Sequence, residues 1–234
     1  MWDNFFFIGL PYIAILMFVG GIVYRSLSGI MSRYRAKWDL SVRGDYLWTT
    51  RSTGFFGRAS IGPASLCLHW GLIILFISHL VGFIGGSYNF GSWIEFFKWA
   101  GLGGGIIFLY GALWALLRRI IIPQVKAMST PDDYIVLLFL ILIAGLGLYQ
   151  SAIEMVFGIS FLAGPWMASI FKLQPDVSAI AGAPFINKLH IIVAFLFFAY
   201  FPFTKLVHFA SYPFGYINRP FVSVRKRRRT ERQI

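Results

Sequence analysis

The sequence predicts an all-α fold, an integral membrane bundle of five transmembrane helices with its N-terminus outside and its C-terminus inside. Three observations carry that expectation. The chain is 58% apolar and only 13% charged, with a mean hydropathy of +0.70, whereas a soluble domain carries about 25% charged residues. Its apolar residues gather into runs of about 20, the length a helix needs to cross a hydrocarbon core of about 30 Å. Its basic residues also divide by side, as topology demands.

The first span is expected at about 4–24. The opening "MWDNFFFIGL" has no positive n-region, and its early charge is Asp3, so the run reads as a permanent span and not a cleaved signal. Residues 25–61 are polar and basic and form an inner loop. Spans two and three follow at about 62–84 and 100–122, and span four at about 133–157. The stretch 158–184 is rich in Gly, Ala and Pro and too broken for a sixth span, although "GPWMASIFKL" within it reads as a short interfacial helix. Span five is expected at about 185–209, and 210–234 is a basic cytoplasmic tail. No internal repeat or inverted half is visible, so 1–234 is one membrane domain.

Loops 25–61 and 118–132 and the chain from Lys205 onward hold 18 of the 21 Lys and Arg residues, leaving Lys98, Lys172 and Lys188 for the other side. The net charge of +12 is therefore a topogenic pattern and not a nucleic-acid groove. The tail "RKRRRTER" has two readings, a topology anchor touching anionic lipid or a docking surface for a cytoplasmic partner. The lone Cys67 excludes an internal disulfide, and without CxxCH there is no covalent c-type haem. Twenty-five Phe, 8 Trp and 11 Tyr suit membrane interfaces and the packing of a flat ligand.

The four histidines, His69, His79, His190 and His208, all fall in or at the end of spans two and five. Ionisable residues are disfavoured in lipid, and one alone is often an interhelical hydrogen bond. Four on two helices ask for another explanation. Span two runs outward, placing His69 near the inner face and His79 about 15 Å further out. Span five runs inward, placing His190 near the outer face and His208 about 27 Å deeper. Depth therefore pairs His79 with His190 outside and His69 with His208 inside. On a continuous helix the 18-residue step puts His190 and His208 on one face, while His69 and His79 differ by about 80°. The two steps disagree by about 12 Å, a misfit that helix tilt or a kink at Pro202 must absorb.

Zinc wants three or four converging ligands. A b-type haem wants two axial imidazoles and an apolar surround, which is what these pairs offer. Gly71, Gly82, Gly85 and the run Gly101–Gly105 either clear space for the ring or let helices pack closely. Arg118, Arg119 and Lys205 inside, and Lys98 and Lys188 outside, could meet propionates or serve topology alone. Two haems at different depths make an electron path across the membrane. With no dinucleotide fingerprint, P-loop or Fe–S cysteine set, the redox partner within the membrane is expected to be a quinone.

The segments "LHWGLIILFISHLVGF" and "KLHIIVAFLFFAYFPFTKLVHFASYPFGYINRP" resemble the dihaem cytochrome b (gamma) subunit of membrane-bound respiratory nitrate reductase. So do "PYIAILMFVGG" and "LLRRIIIPQVKAMSTPDDYIVLLFLIL", and the likeness covers all five spans. The most specific piece, "FPF(S/T)(K/R)L(V/I)H", is Phe201 to His208 here. The resemblance implies two haem b groups, the inner on His69 and His208 and the outer on His79 and His190. It implies quinol oxidation beside the outer haem, with protons leaving outside. Electrons would pass inward to an Fe–S subunit and a catalytic molybdenum subunit on the inner side, with this chain in the cell membrane. Ser78 and Lys98 are the quinol-site positions it suggests. Glu154 reads either as a proton carrier or as a solvated headgroup carboxylate. The same module serves sulfite- and heterodisulfide-reductase-type complexes. From other classes, a haem-free proton-relay transporter and a haem-free assembly anchor compete with it.

Overall fold

A computed structural model describes residues 2–36, 58–88, 91–158 and 163–207. The described residues form helices and short connections without a strand, and five helices are long and apolar enough to cross a membrane. The chain is accordingly a multi-pass protein of the cell membrane. Span one is Leu10–Ala36, preceded by a π-helical turn at Phe5–Gly9; span two is Arg58–Tyr88, span three Ser92–Ile121, span four Pro131–Phe157 and span five Phe185–Tyr200. Span one outruns its expected end by a helical extension, and span three starts earlier, through "SWIEFFKWA". The expected interfacial helix is Gly164–Phe171, followed by a single turn at Ser178–Ala181. The tail 210–234 and most of the basic loop lie outside the described residues.

Local chemistry sets the ends. Span four begins with a capping box, Thr130 and Asp133 each accepting from the other's backbone N–H, with Pro131 in the first turn. It stops at Gly158, whose φ of 65° is the left-handed conformation glycine tolerates. Span three ends where Ile122 turns extended ahead of Pro123. In the first span Pro11 has no N–H for the carbonyl of Phe7, and the indole of buried Trp166 donates to that carbonyl at 3.1 Å instead.

The expectation of one continuous fifth span to residue 209 is corrected. The α-helix stops at Tyr200, Phe201–Phe203 is 3-10, Thr204 is extended and Lys205–Val207 is 3-10 again. Pro202 ends the regular ladder. The carbonyls of Pro202 and Thr204 that this frees accept from Arg25 Nη1 at 2.8 and 3.2 Å. His190 and any residue beyond Tyr200 therefore do not share one α-helical stripe, and His208 itself lies outside the described residues.

Neighbouring spans pack antiparallel in the order two, three, four, five, and span one lies parallel to span five. A Cβ at Gly71 would sit 2.6 Å from the backbone nitrogen of Phe108, and one at Gly111 2.8 Å from that of Leu68. Spans two and three thus touch backbone to backbone. Span five meets span one through Phe18 and Phe198, and span four through Phe139 and Phe197, with ring centroids 4.7 and 5.8 Å apart. Spans two and five share little direct packing. The helix Gly164–Phe171 packs beside span two. It also joins the start of span one, where Tyr12 donates to the carbonyl of Ile170 at 3.0 Å and Phe7, Trp166, Ile170 and Ile180 make a buried cluster. The end of the bundle with this cluster is the near end below; the end with Arg25 and Lys205 is the far end.

Candidate functional site

Spans two and five bring one histidine each to the near half. The rings of His79 and His190 are parallel to within 6°, with centroids 6.4 Å apart. Two imidazoles that each reach one ion through a bond of about 2.0–2.1 Å have centroids about 6 Å apart. His79 Nδ1 lies 2.7 Å from the carbonyl of Leu75, one turn back. A carbonyl can only accept, so Nδ1 carries the proton and Nε2 keeps the lone pair a metal needs.

His190 is set by span four. A Cβ at Gly147 would stand 3.3 Å from His190 Cε1 and 3.7 Å from Nδ1, so the ring rests where a side chain is missing. Its Nδ1 is buried, and the backbone of Ile143 on span four interacts with the ring.

His69, two to three turns from His79 on span two, repeats the pattern. Its Nδ1 donates to the carbonyl of Ser65 at 2.6 Å, with the Ser65 hydroxyl at 3.3 Å. Both span-two histidines therefore hold the same ring nitrogen on the backbone and present the other. His208, expected opposite His69, lies outside the described residues. Among the described residues no group of three or more His, Cys, Asp and Glu converges. Two facing imidazoles with apolar walls fit a haem iron better than a tetrahedral ion.

Of the expected glycines, Gly71, Gly101, Gly104 and Gly105 serve packing, while a Cβ at Gly82 or Gly103 would meet nothing within 4 Å. Gly71 and Gly104 abut Phe108 and Ile74, and Gly105 abuts Leu148. The glycine that clears a histidine ring is Gly147, which composition alone did not single out. Several expected propionate cations are engaged by the chain itself. Arg119 and Lys205 reach Asp133 Oδ2 at 3.4 and 2.8 Å, and Lys188 stands 5.8 Å from the Phe7 ring centre. Arg118 is buried.

Of the expected quinol-site residues, Lys98 is paired with Glu154 at 2.5 Å, joining spans three and four near their near-end termini. Ser78 turns toward span three, where a Cβ on Gly101 would come within 3.3 Å of its own Cβ. Its buried hydroxyl has no partner among the described residues. Gln150 was missed. Its Nε2 is likewise buried without a described partner, and the available signal was an amide inside the apolar run of span four. Ser78, Gln150 and His190 all belong to the near half.

Against known proteins, residues 3–227 match the family model described as nitrate reductase gamma subunit. The nitrate reductase gamma chain of Bacillus subtilis (strain 168) is 27% identical over 228 residues, covering 93% of this chain and 96% of that protein. The respiratory nitrate reductase 1 gamma chain of Escherichia coli (strain K12) is 29% identical over 235 residues, covering 96% and 98%. More distant is a protein of Archaeoglobus profundus named Hdr-like menaquinol oxidoreductase cytochrome b-like subunit, 25% identical across 63% of this chain and 46% of its own length. With the match running almost end to end through all five spans and both histidine-bearing helices, this chain belongs to the nitrate reductase gamma subunit family.

Proposed function

We propose that this chain is the dihaem cytochrome b subunit of a nitrate-reducing complex. It takes electrons from quinol at the near end and delivers them toward the far end, to an Fe–S subunit and a catalytic molybdenum subunit. The observation that carries this reading is the His79–His190 pair, parallel and 6.4 Å apart on two helices that scarcely touch. In it, His79 and His190 would hold one haem b, and His69 and His208 a second. A bis-histidine haem supplies a one-electron carrier that keeps both ligands in its two oxidation states.

The chain's own residues do the positioning. Leu75 and Ser65 hold the Nδ1 protons, which orients each ring and raises its basicity. Gly147 lets His190 lie against span four. The near end faces outside and the far end inside, in keeping with 18 of 21 basic residues on the inner connections. Lys98 and Ser78 belong to the quinol site, and Glu154, held by Lys98, is placed to receive protons leaving it.

Haem and iron analysis of the purified chain tests this directly. Two haem b per chain are expected. His79→Ala and His190→Ala should remove the same one, and His69→Ala and His208→Ala the other. A preparation without haem absorbance would leave a proton relay or an assembly anchor as the better reading. Loss of one shared haem from His69→Ala and His190→Ala would break the pairing. The Archaeoglobus likeness favours a second reading of the partners alone, a heterodisulfide-reductase-type complex; purifying the intact complex and assaying for molybdenum decides between them.

A further inference from the structure

Span four carries three features on one face. Gly147, Gln150 and Glu154 are spaced three and four residues apart, so they line one side of the helix. Gly147 faces the ring of His190 and Glu154 faces Lys98. Gln150 lies between them, about 4.5 Å along the axis from one and about 6 Å from the other. Its Nε2 is buried with no hydrogen-bond partner among the described residues. Buried carboxamide donors are costly to leave unmade and are ordinarily satisfied. A donor held between the histidine pair and an ion pair is therefore open, among the described residues, to an acceptor that a ligand can bring.

The chemistry narrows that acceptor. A neutral N–H donor suits a neutral carbonyl or hydroxyl oxygen. A haem propionate is a carboxylate and draws cations, and Lys98 at this end is already taken by Glu154. We infer that Gln150 donates a hydrogen bond to an oxygen of the quinone headgroup and is a binding residue of the quinol site on span four. This rests on the quinol-oxidising reading above. It adds a third helix to a site otherwise assigned to spans two and three.

The test uses the full chain in native membranes with its partner subunits, and menadiol as the probe. Gln150→Met keeps length and volume but has no donor; Gln150→His keeps an N–H. With Q150M, KM for menadiol should rise about tenfold, the effect of one hydrogen bond, while kcat stays within about twofold. Q150H should recover most of the lost affinity. Both variants should retain the wild-type haem number and dithionite-reduced spectrum. In isotope-edited infrared spectra, the carbonyl band of 13C-labelled menadione bound to wild type should lie below that of the free quinone and move back in Q150M. An unchanged KM and an unmoved band would overturn the inference and leave the dihaem reading intact. Loss of one haem in Q150M would overturn it too, placing Gln150 against the haem. Absence of haem from the wild type would sink the quinol reading itself, and this inference with it.

Discussion

The two ends of the bundle handle buried polarity in contrasting ways. At the far end, Asp133 accepts from Lys205, lies beside Arg119 and closes the span-four cap. Asp132 takes the hydroxyl of Tyr200, Arg119 reaches Ser129, and Arg25 covers the carbonyls freed by the break in span five. At the near end, Ser78 and Gln150 each keep a buried polar atom without a described partner. A low-dielectric environment makes satisfied networks rigid and unsatisfied groups expensive. The far end is thus organised to hold the chain's own irregular backbone. The near end leaves two buried polar groups open among the described residues, which is where the proposed ligand would bond.

Substitutions can break or sharpen that contrast. The largest effect is expected from Asp133→Ala, which takes the carboxylate away from Arg119 and Lys205 and opens the cap; removing one partner of a buried pair costs about 3–5 kcal/mol. Thermal unfolding in detergent should show it, and near-wild-type unfolding would mean that the far-end network is decorative. Next comes Arg25→Ala. It leaves the Pro202 and Thr204 carbonyls unpaired at about 1–3 kcal/mol; thermal unfolding should show that loss, and limited proteolysis should show faster cleavage after residue 200.

At the near end stability should respond less and spectra more. Gly147→Ala pushes the His190 ring by a few tenths of an ångström, so about 1 kcal/mol of stability is expected to go. One haem's reduced absorption band or midpoint potential should shift while the other's stays. Equal shifts in both would deny the pairing. The smallest stability effect belongs to Gln150→Met, expected within about 0.5 kcal/mol of wild type because no described contact is lost. If it destabilised as much as Arg25→Ala, the near end would be another structural network and the contrast would fail.

Much of the fold was legible because lipid leaves so few choices. Runs of apolar residues located all five spans, and "GPWMASIFKL" announced its helix. The errors fell where side chains are amphipathic or where backbone bonds are replaced. Trp93, Glu95 and Lys98 made the first turns of span three look like a loop, although Lys98 pairs across to Glu154. In span five, apolar residues continue past Tyr200, so hydropathy saw no stop. The stop depends on Pro202 and on Arg25, a residue 177 positions away that makes the break tolerable. Gly147 and Gln150 escaped notice for a related reason: their meaning lies in what faces them.

Sequence alone located five runs long and apolar enough to cross a membrane, put His69 and His79 on span two and His190 on span five, and set those two spans running in opposite directions. Those properties follow from run length and spacing, which are local. Tertiary structure decided that His79 faces His190 across a gap with parallel rings, that Gly71, Gly104, Gly105 and Gly111 serve helix contact, and that one amide is left buried without a described partner. Each of these depends on which helices lie side by side. Backbone contact at Gly71 and Gly111, the Phe7–Trp166 cluster and the Arg25 bonds establish that arrangement between residues far apart in the chain.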